Sequence, residues 1–531
     1  MFTKPSLLTA AMVVASGLMS EAIAETPRRG GTLVAIVQPE PVTITAGTNV
    51  AAPTQFVSGN IFDGLVTYGI DLQPKPALAE SWDVAPDGKT ITFRLRKGVT
   101  WHDGKPFTSA DVKWTLENIW KTIHPRNKAV FLEVSQVDTP DEHTVVLRLN
   151  RPSLPILSTI NASGAQILPK HLYEGTDFLT SPWNNKPIGT GPFVFKEWSK
   201  GNHIILERNP NYWDKERPYL DRIIFKVIPD AAARSAALEK GDAHYAAFSP
   251  VPLKDAERLA ALPNLKIETR GYEWLSPLLY FDLNVDNAYL KDVRVRRAIA
   301  HAIDRNAIAK RVWYGFGKPA VSPIPSTVKQ FHTADVPKYE FDPKRAEALL
   351  DEAGFKRGAN GVRFTISHDF LPYGDDYRRT GEYLKQALKR VGIEVNIRAQ
   401  DGAAFIKRIY ADRDFDISSS WNGAFPDPQI GITRMYWSGW VGKATPWTNG
   451  SGYRNPEIDK LIEQTAVSSD PAQRVKLFHQ FQKTAQTDLP TIPLIELRFF
   501  SVHSSNLRDL TVYGDQIYAS LKNAWFAEPP K

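Results

Sequence analysis

Residues 377–421, YRRTGEYLKQALKRVGIEVNIRAQDGAAFIKRIYADRDFDISSSW, decide the fold class. The first part, 377–390, has helical apolar spacing, and Gly392 is the residue type that ends a helix in the left-handed region. Next, Ile393, Val395 and Ile397 alternate with polar neighbours, as in a strand with one buried face. A second helix is predicted over AAFIKRIYADRD, 403–414, and a second strand over FDISSSW, 415–421. Helix, strand, helix, strand implies an α/β lobe, and in such sheets ligands bind outside the carboxyl ends of the strands. The loop SSSWNGAFPDP, 418–428, begins at such an end, so Trp421 and its neighbours are placed to touch a ligand. The competing reading makes Trp421 core and the prolines loop stiffeners.

Working outward, the same punctuation recurs. FDPKRAEALLDEAGF has Asp342 to cap a helix, Pro343 for its first position and Gly354 for the residue after its end. Asn455-Pro456 and Asp470-Pro471 repeat the device. Asp292 is likewise read as a cap, so neither it nor Asp342 is a site residue. Nearer the start, GTLVAIVQ is a run of strand length. Asp87-Gly88 is a tight-turn pair between alternating runs in which Ile91, Phe93 and Leu95 share a face. A helix carrying Val112, Leu116 and Ile119 follows, with Ser109 or Asp111 as its cap. No internal repeat, low-complexity tract or Gly/Ser-rich tether appears, so several chain crossings between domains are expected.

The chain has 531 residues, 42% hydrophobic and 23% charged, which places it among folded globular proteins. Lys4, the apolar run LLTAAMVVASGLM and the small-residue end AIA at 22–24 form a secretory leader, with cleavage expected after Ala24. That run is short of the roughly 18–20 residues of a membrane span. With no cysteine anywhere, disulfides, thiolate metal sites, a cysteine nucleophile and a lipid anchor on an N-terminal Cys are excluded. Export to the periplasm follows. The formal charge of +7 is dispersed, with only short clusters such as RVRR at 294–297, which argues against nucleic acid.

Catalytic signatures are missing. There is no H-E-x-x-H, no G-x-S-x-G and no phosphate loop, and GTGPF at 189–193 lacks the third glycine of a dinucleotide fingerprint. The eleven histidines form no pair at helical spacing. His102 beside Asp103 is the strongest metal candidate, yet Asp103-Gly104 reads as an ordinary turn, so no metal and no cofactor is assigned. The positive signal is aromatic: MYWSGWVGKATPWTNGSGY, 435–453, sets three Trp and two Tyr among Gly, Ser, Thr and Asn. Such a mixture suits a cleft that sandwiches an organic ligand, or a loop packed by its own rings.

Several ordered blocks then carry a resemblance. They are LAESWDVAPDGKTITFRLRKGVTWHDGKPFTSADV (78–112), PIGTGPFVFKEW (187–198), LERNPNYW (206–213), LYFDLN (279–284), DVRVRRAIAHAIDR (292–305) and YEFDPKRAEALLDEAGF (339–355), besides the Trp421 loop. In this order they resemble the solute-binding proteins of ABC importers in the dipeptide, oligopeptide and nickel class, family 5. The resemblance implies an α/β, two-lobed periplasmic-binding-protein fold with a hinge and an additional inserted domain. It implies a first lobe from 25–70, 186–277 and 490–531, an insert at 71–185 and a second lobe at 278–489. A monomer delivering a small organic solute to an inner-membrane ABC permease is implied with it.

Peptide-binding relatives carry W-x-x-D-x-x-[DE]-P, whose first Asp pairs with the ligand's free α-ammonium. Here Trp421 and Asp427-Pro428 match, but the ammonium position holds Ala424. Leaving a buried cation unpaired costs on the order of 3–5 kcal/mol. The expected ligand is therefore another organic solute: an oligosaccharide, an opine-like conjugate or a modified peptide, with metal in an organic chelate still open. The strand before the loop is one residue shorter than in those relatives, so a shifted register could bring Asp427 to the amine instead. The expected contacts are Trp421 stacking, Asn422 and Gly423 hydrogen bonding, and Trp274, Tyr436 and Trp437 lining the cleft, with Asp427 either a loop carboxylate or a contact. The alternatives are an exported hydrolase, or a holdase with an exposed apolar surface.

Overall fold

The computed structural model describes residues 25–530 except Thr48 and Pro125. The leader, 1–24, lies outside the described residues. Among the described residues, no helix is long and apolar enough to cross a membrane.

The deciding stretch folds as helix Asp375–Arg390, strand Ile393–Arg398, helix Gly402–Ile406 widening into a π-helix over Lys407–Asp412, and strand Ile417–Gly423. Gly392 takes a φ of 85°, which stops the first helix and turns the chain directly into the strand. Ile393–Arg398 and Ile417–Gly423 belong to one sheet, each running parallel to Phe364–Phe370. Pro277–Leu283 joins it antiparallel on one side of Ile417–Gly423, followed by Thr491–Leu497 and Gly317–Pro319. All seven residues of Pro277–Leu283 and of Thr491–Leu497 are buried, the mark of strands covered on both faces.

The other large sheet has seven strands, in the order Leu265–Glu268, Ser501–Ser504, Tyr245–Ala246, Thr32–Val37, Arg222–Val227, His203–Arg208, Phe193–Ser199. The expected strand GTLVAIVQ is its Thr32–Val37. Its members come from three separated parts of the chain, giving two lobes, the first of them discontinuous. The expected hairpin forms as Ala79–Val84 and Thr90–Leu95, with Gly88 at φ 67°. It belongs to a third, four-stranded antiparallel sheet with Thr144–Leu149 and Val134–Asp141. Ile91, Phe93 and Leu95 point together into the core.

Two differences from the sequence reading have physical causes. Residues 491–497, assigned above to the first lobe, pair with Pro277–Leu283 in the second sheet, and the chain crosses back only between Leu497 and Ser501. A strand buried on both faces has no solvent-facing side to indicate which sheet it joins. The cap near Ser109 is Thr108, whose N–H donates to the Asp111 carboxylate at 3.0 Å in a capping box. The caps at Asp292, Asp342, Asn455 and Asp470 form as read.

The GTGPF segment is a packing device. Gly191 N–H donates to the Ile61 carbonyl at 2.8 Å, while His102 receives Gly189 N–H on Nδ1 at 3.2 Å and meets the Gly191 carbonyl through Nε2 at 3.0 Å. Burial pushes His102 down to about 4, so it is a neutral staple. A Cβ on Gly189 would lie 1.9 Å from the Ile61 carbonyl oxygen, whereas one on Gly402 would meet nothing within 4 Å. Gly189→Ala is expected to lower unfolding free energy by about 1–3 kcal/mol in urea titration. Gly402→Ala, at the first position of a helix, should leave it unchanged or raise it by up to about 1 kcal/mol.

Candidate functional site

The chain passes between the two large sheets twice, between Glu268 and Pro277 and between Leu497 and Ser501. Aromatic side chains fill the seam there. Trp421, partly exposed, meets Phe499 edge-on at 5.1 Å, and Phe499 lies on the second crossing. The row continues through Phe248 at 6.1 Å, Tyr518 at 5.6 Å, Trp274 at 6.1 Å and Phe425 at 4.8 Å. The rings therefore link the first lobe, through Phe248, Trp274 and Tyr518, to the loop of the second, through Trp421 and Phe425. Offset and edge-on ring pairs of this kind give area and orientation together.

Backbone strain gathers at the same seam. Phe248, Ser249, Ser276 and Phe425 have φ of 61°, 49°, 42° and 59°, a region that residues with a side chain seldom occupy. Such conformations persist only where surrounding contacts hold them, and they cluster at ligand clamps. Phe248 is held by its N–H donating to the Tyr272 hydroxyl at 2.8 Å, which in turn meets Ser501 Oγ at 2.9 Å. At Phe425 the left-handed turn directs the ring at Trp274 while the preceding Ala424 sinks fully into the second lobe.

The residues expected to form the site divide into two groups. Trp274 and Trp421 belong to the aromatic row. Asn422 turns inward, donating from Nδ2 to the Gly431 carbonyl at 2.7 Å. Gly423 permits close packing: a Cβ there would be 2.9 Å from the Leu275 carbonyl oxygen. Tyr436 is 2% exposed, its hydroxyl 2.5 Å from Thr491 Oγ1 and its ring edge-on to Phe481 at 5.2 Å, which places it in the second lobe's core. Trp437 is partly exposed and meets Trp440 at 6.3 Å, outside the row.

Asp427 is occupied by a structural partner. Arg474 donates to both carboxylate oxygens, at 2.6 and 2.9 Å, with each side chain 4% exposed. Asp427 also accepts the Gln429 N–H at 3.0 Å, capping the helix Pro428–Gly431. The shifted register that would offer Asp427 to an amine is thus opposed by a bidentate, charge-assisted pair.

Sequence reasoning missed Phe425, Phe248, Phe499 and Tyr518, and with them Arg126, whose guanidinium carbon lies 5.0 Å from the centre of the Phe425 ring. Phe425 lay inside the quoted loop; the others are distant in sequence and carry no local motif. Asp282, buried one residue from the end of Pro277–Leu283, lies near Tyr280, Tyr410 and Tyr436; burial pushes it up to about 7, and the charge of Arg413 opposes the shift.

Residues 73–443 match the sequence family described as "Bacterial extracellular solute-binding proteins, family 5 Middle". The chain belongs to this family. It is 28% identical to the dipeptide-binding protein of Escherichia coli K12, over 83% of this chain and 86% of that one. It is 30% identical to the oligopeptide-binding protein AppA of Bacillus subtilis 168, over 87% of this chain and 86% of that one. Among solved structures it is similar to the binding protein AgaA of A. tumefaciens R10 in complex with agropinic acid, with a TM-score of 0.76 and 28% identity over 93% of this chain and 99% of that one. This family 5 protein is the substrate-binding component of an ABC importer, with the two-lobed fold of its class. Its relatives are binding proteins and lend no support to the hydrolase alternative.

Two expectations follow from the buried charges. Asp427→Ala strands the Arg474 cation and should cost on the order of 3–5 kcal/mol in urea unfolding, with a far smaller loss for the pair replacement Asp427→Leu with Arg474→Met. Asp282 binds its proton more tightly folded than unfolded, where its pKa is about 3.9. Its contribution is therefore complete below about pH 4 and is lost as pH rises through about 7. Asp282→Asn should flatten the fall in stability across that window; an unchanged slope in pH-dependent unfolding would refute the assignment.

Proposed function

We propose that this family 5 protein is exported to the periplasm through its 1–24 leader, captures a small organic solute at the aromatic seam and hands it, unchanged, to an inner-membrane ABC permease. The proposed organisation is a first lobe from 25–70, 186–277 and the segment after Leu497, an insert at 71–185, and a second lobe at 278–497. The two adjacent crossings serve as its hinge, by which the lobes close as a monomer. Trp421, partly exposed, supplies its ring face to the solute, and the buried Phe425 and Trp274 continue the aromatic row behind it.

The observation that carries the choice of solute is Ala424. It is fully buried where peptide-binding relatives place the ammonium-pairing carboxylate, and the next carboxylate along, Asp427, is spent on Arg474. A free-amine peptide docked at this loop would leave its ammonium unpaired, which selects against it. Oligosaccharides, opine-like conjugates and amine-blocked peptides remain as the fitting classes. The likeness to a protein solved with agropinic acid supports the second of these.

Thermal unfolding of the mature chain against free-amine di- to pentapeptides, their N-acetylated forms, oligosaccharides and sugar–amino acid conjugates tests this. A solute at about one hundred times its dissociation constant adds about 2.7 kcal/mol, a shift of a few degrees. The expected outcome is a shift from conjugates, sugars or blocked peptides that Trp421→Ala abolishes. Strongest stabilisation by ordinary free-amine peptides would overturn the reading of Ala424.

A further inference from the structure

Among the described residues, six of the seven buried carboxylates accept hydrogen bonds. Asp369 takes them from Arg398 and Gln400, Asp427 from Arg474 and Asp515 from Asn161, for example. Asp282 is the exception. It is 3% exposed, and among the described residues its carboxyl has neither a hydrogen bond nor an ion pair.

This carboxyl lies beneath the segment 446–453 of the second lobe. A Cβ on Gly450 would stand 3.0 Å from Asp282 Oδ2, so the bare backbone of a glycine closes over it. Phenols face it from three elements: Tyr280 of its own strand, Tyr410 of Lys407–Asp412, and Tyr436 just after the turn Thr433–Met435. Burial pushes all three phenols up, so they stay uncharged. The cation in its field is Arg413. That guanidinium is already committed, and mostly to the segment above. Its Nε donates to the Gly450 carbonyl at 3.1 Å and its Nη2 to the Ser451 carbonyl at 3.1 Å and Asn284 Oδ1 at 3.0 Å, while Nη1 meets Asp286 at 2.8 Å.

An uncharged acid can stay in such a place, whereas an ionised one needs donors. Two sources are at hand: Arg413, or water admitted by lifting Gly450 and its neighbours. Either route takes a hold off the segment. Its backbone is poised for release, since Ala444 and Trp447 have φ of 54° and 55°, conformations that persist only where surrounding contacts hold them. Closure and protonation are therefore linked. Burial holds the enclosed carboxyl near about 7, against about 3.9 for an exposed one, so the closed form is favoured below about pH 7 and loses ground above it.

We propose that Asp282 is a proton-sensitive latch: with its proton on, the segment 446–453 is seated on the second lobe, and loss of the proton releases it. The segment reaches the side of that lobe that faces the insert, since Arg434, which donates to its Pro446 carbonyl at 2.8 Å, feels the charge of Arg126. Release therefore reshapes that side as the surroundings turn alkaline. The latch acts in the empty protein and does not depend on which solute is carried.

Amide hydrogen exchange, read by mass spectrometry on the mature chain and on Asp282→Asn, tests this once the pH dependence of chemical exchange is divided out. In wild type, opening of the amides of 447–453 is expected to rise about tenfold between about pH 6 and about pH 8, the ratio set by one proton released at about 7. The strands of the seven-stranded sheet are expected to show no such rise. Asp282→Asn keeps the shape and removes the charge, so its segment should stay as protected at the upper pH as wild type is at the lower. A flat profile in wild type, or an equal rise in Asp282→Asn, would overturn the latch. Should the variant fail to fold, wild type decides alone: a rise confined to 447–453 supports the latch, and one shared by the whole second lobe refutes it.

Discussion

Side by side in the second sheet, Pro277–Leu283 and Thr491–Leu497 bury every one of their residues, and both continue directly into the first lobe. That pair of strands is the constraint on which the rest depends. Because both faces are covered, neither strand can slip without moving its apolar side chains out of the core. The two crossings at their ends are therefore held next to each other. The seam between the sheets can then have one defined lining, and it is lined with rings from both lobes. The left-handed residues Phe248, Ser249, Ser276 and Phe425 lie beside those crossings, where the fixed strands can hold strained backbone in place.

Charge follows a stricter rule in the same region. Within the second lobe, Asp427 and Arg474 leave water together and satisfy one another, anchoring the loop after Ile417–Gly423. At the seam, Arg126 stays partly exposed, its guanidinium 5.0 Å from the centre of the Phe425 ring. The rings of the seam supply apolar area with fixed orientation, which suits binding.

The local parts of this fold were legible because each is set by a short-range cause. Gly392 and Gly354 stop helices by their left-handed φ, Asp342, Asn455 and Asp470 cap them through one oxygen each, and Gly88 makes its hairpin turn. Legibility fell where a residue's role depends on distant neighbours. Tyr436 and Asn422 carry polar groups suited to a ligand, yet Thr491 and the Gly431 carbonyl already satisfy them. The strand Thr491–Leu497, buried on both faces, named no sheet, and GTGPF proved to be backbone packing against Ile61 rather than a phosphate cradle.

By itself, the amino-acid sequence determined the α/β class, the helix ends, the hairpin and, through ordered blocks of residues, the family; periodicity, capping and turn chemistry act over a few residues and survive in any context that buries the apolar face. Only the tertiary structure decided which polar groups are free to act. Trp274, Phe425 and Arg126 meet because a crossing and an inserted unit bring residues far apart in the chain to one seam. Whether a buried charge is matched depends on that three-dimensional neighbourhood and cannot be read from the chain on either side of it.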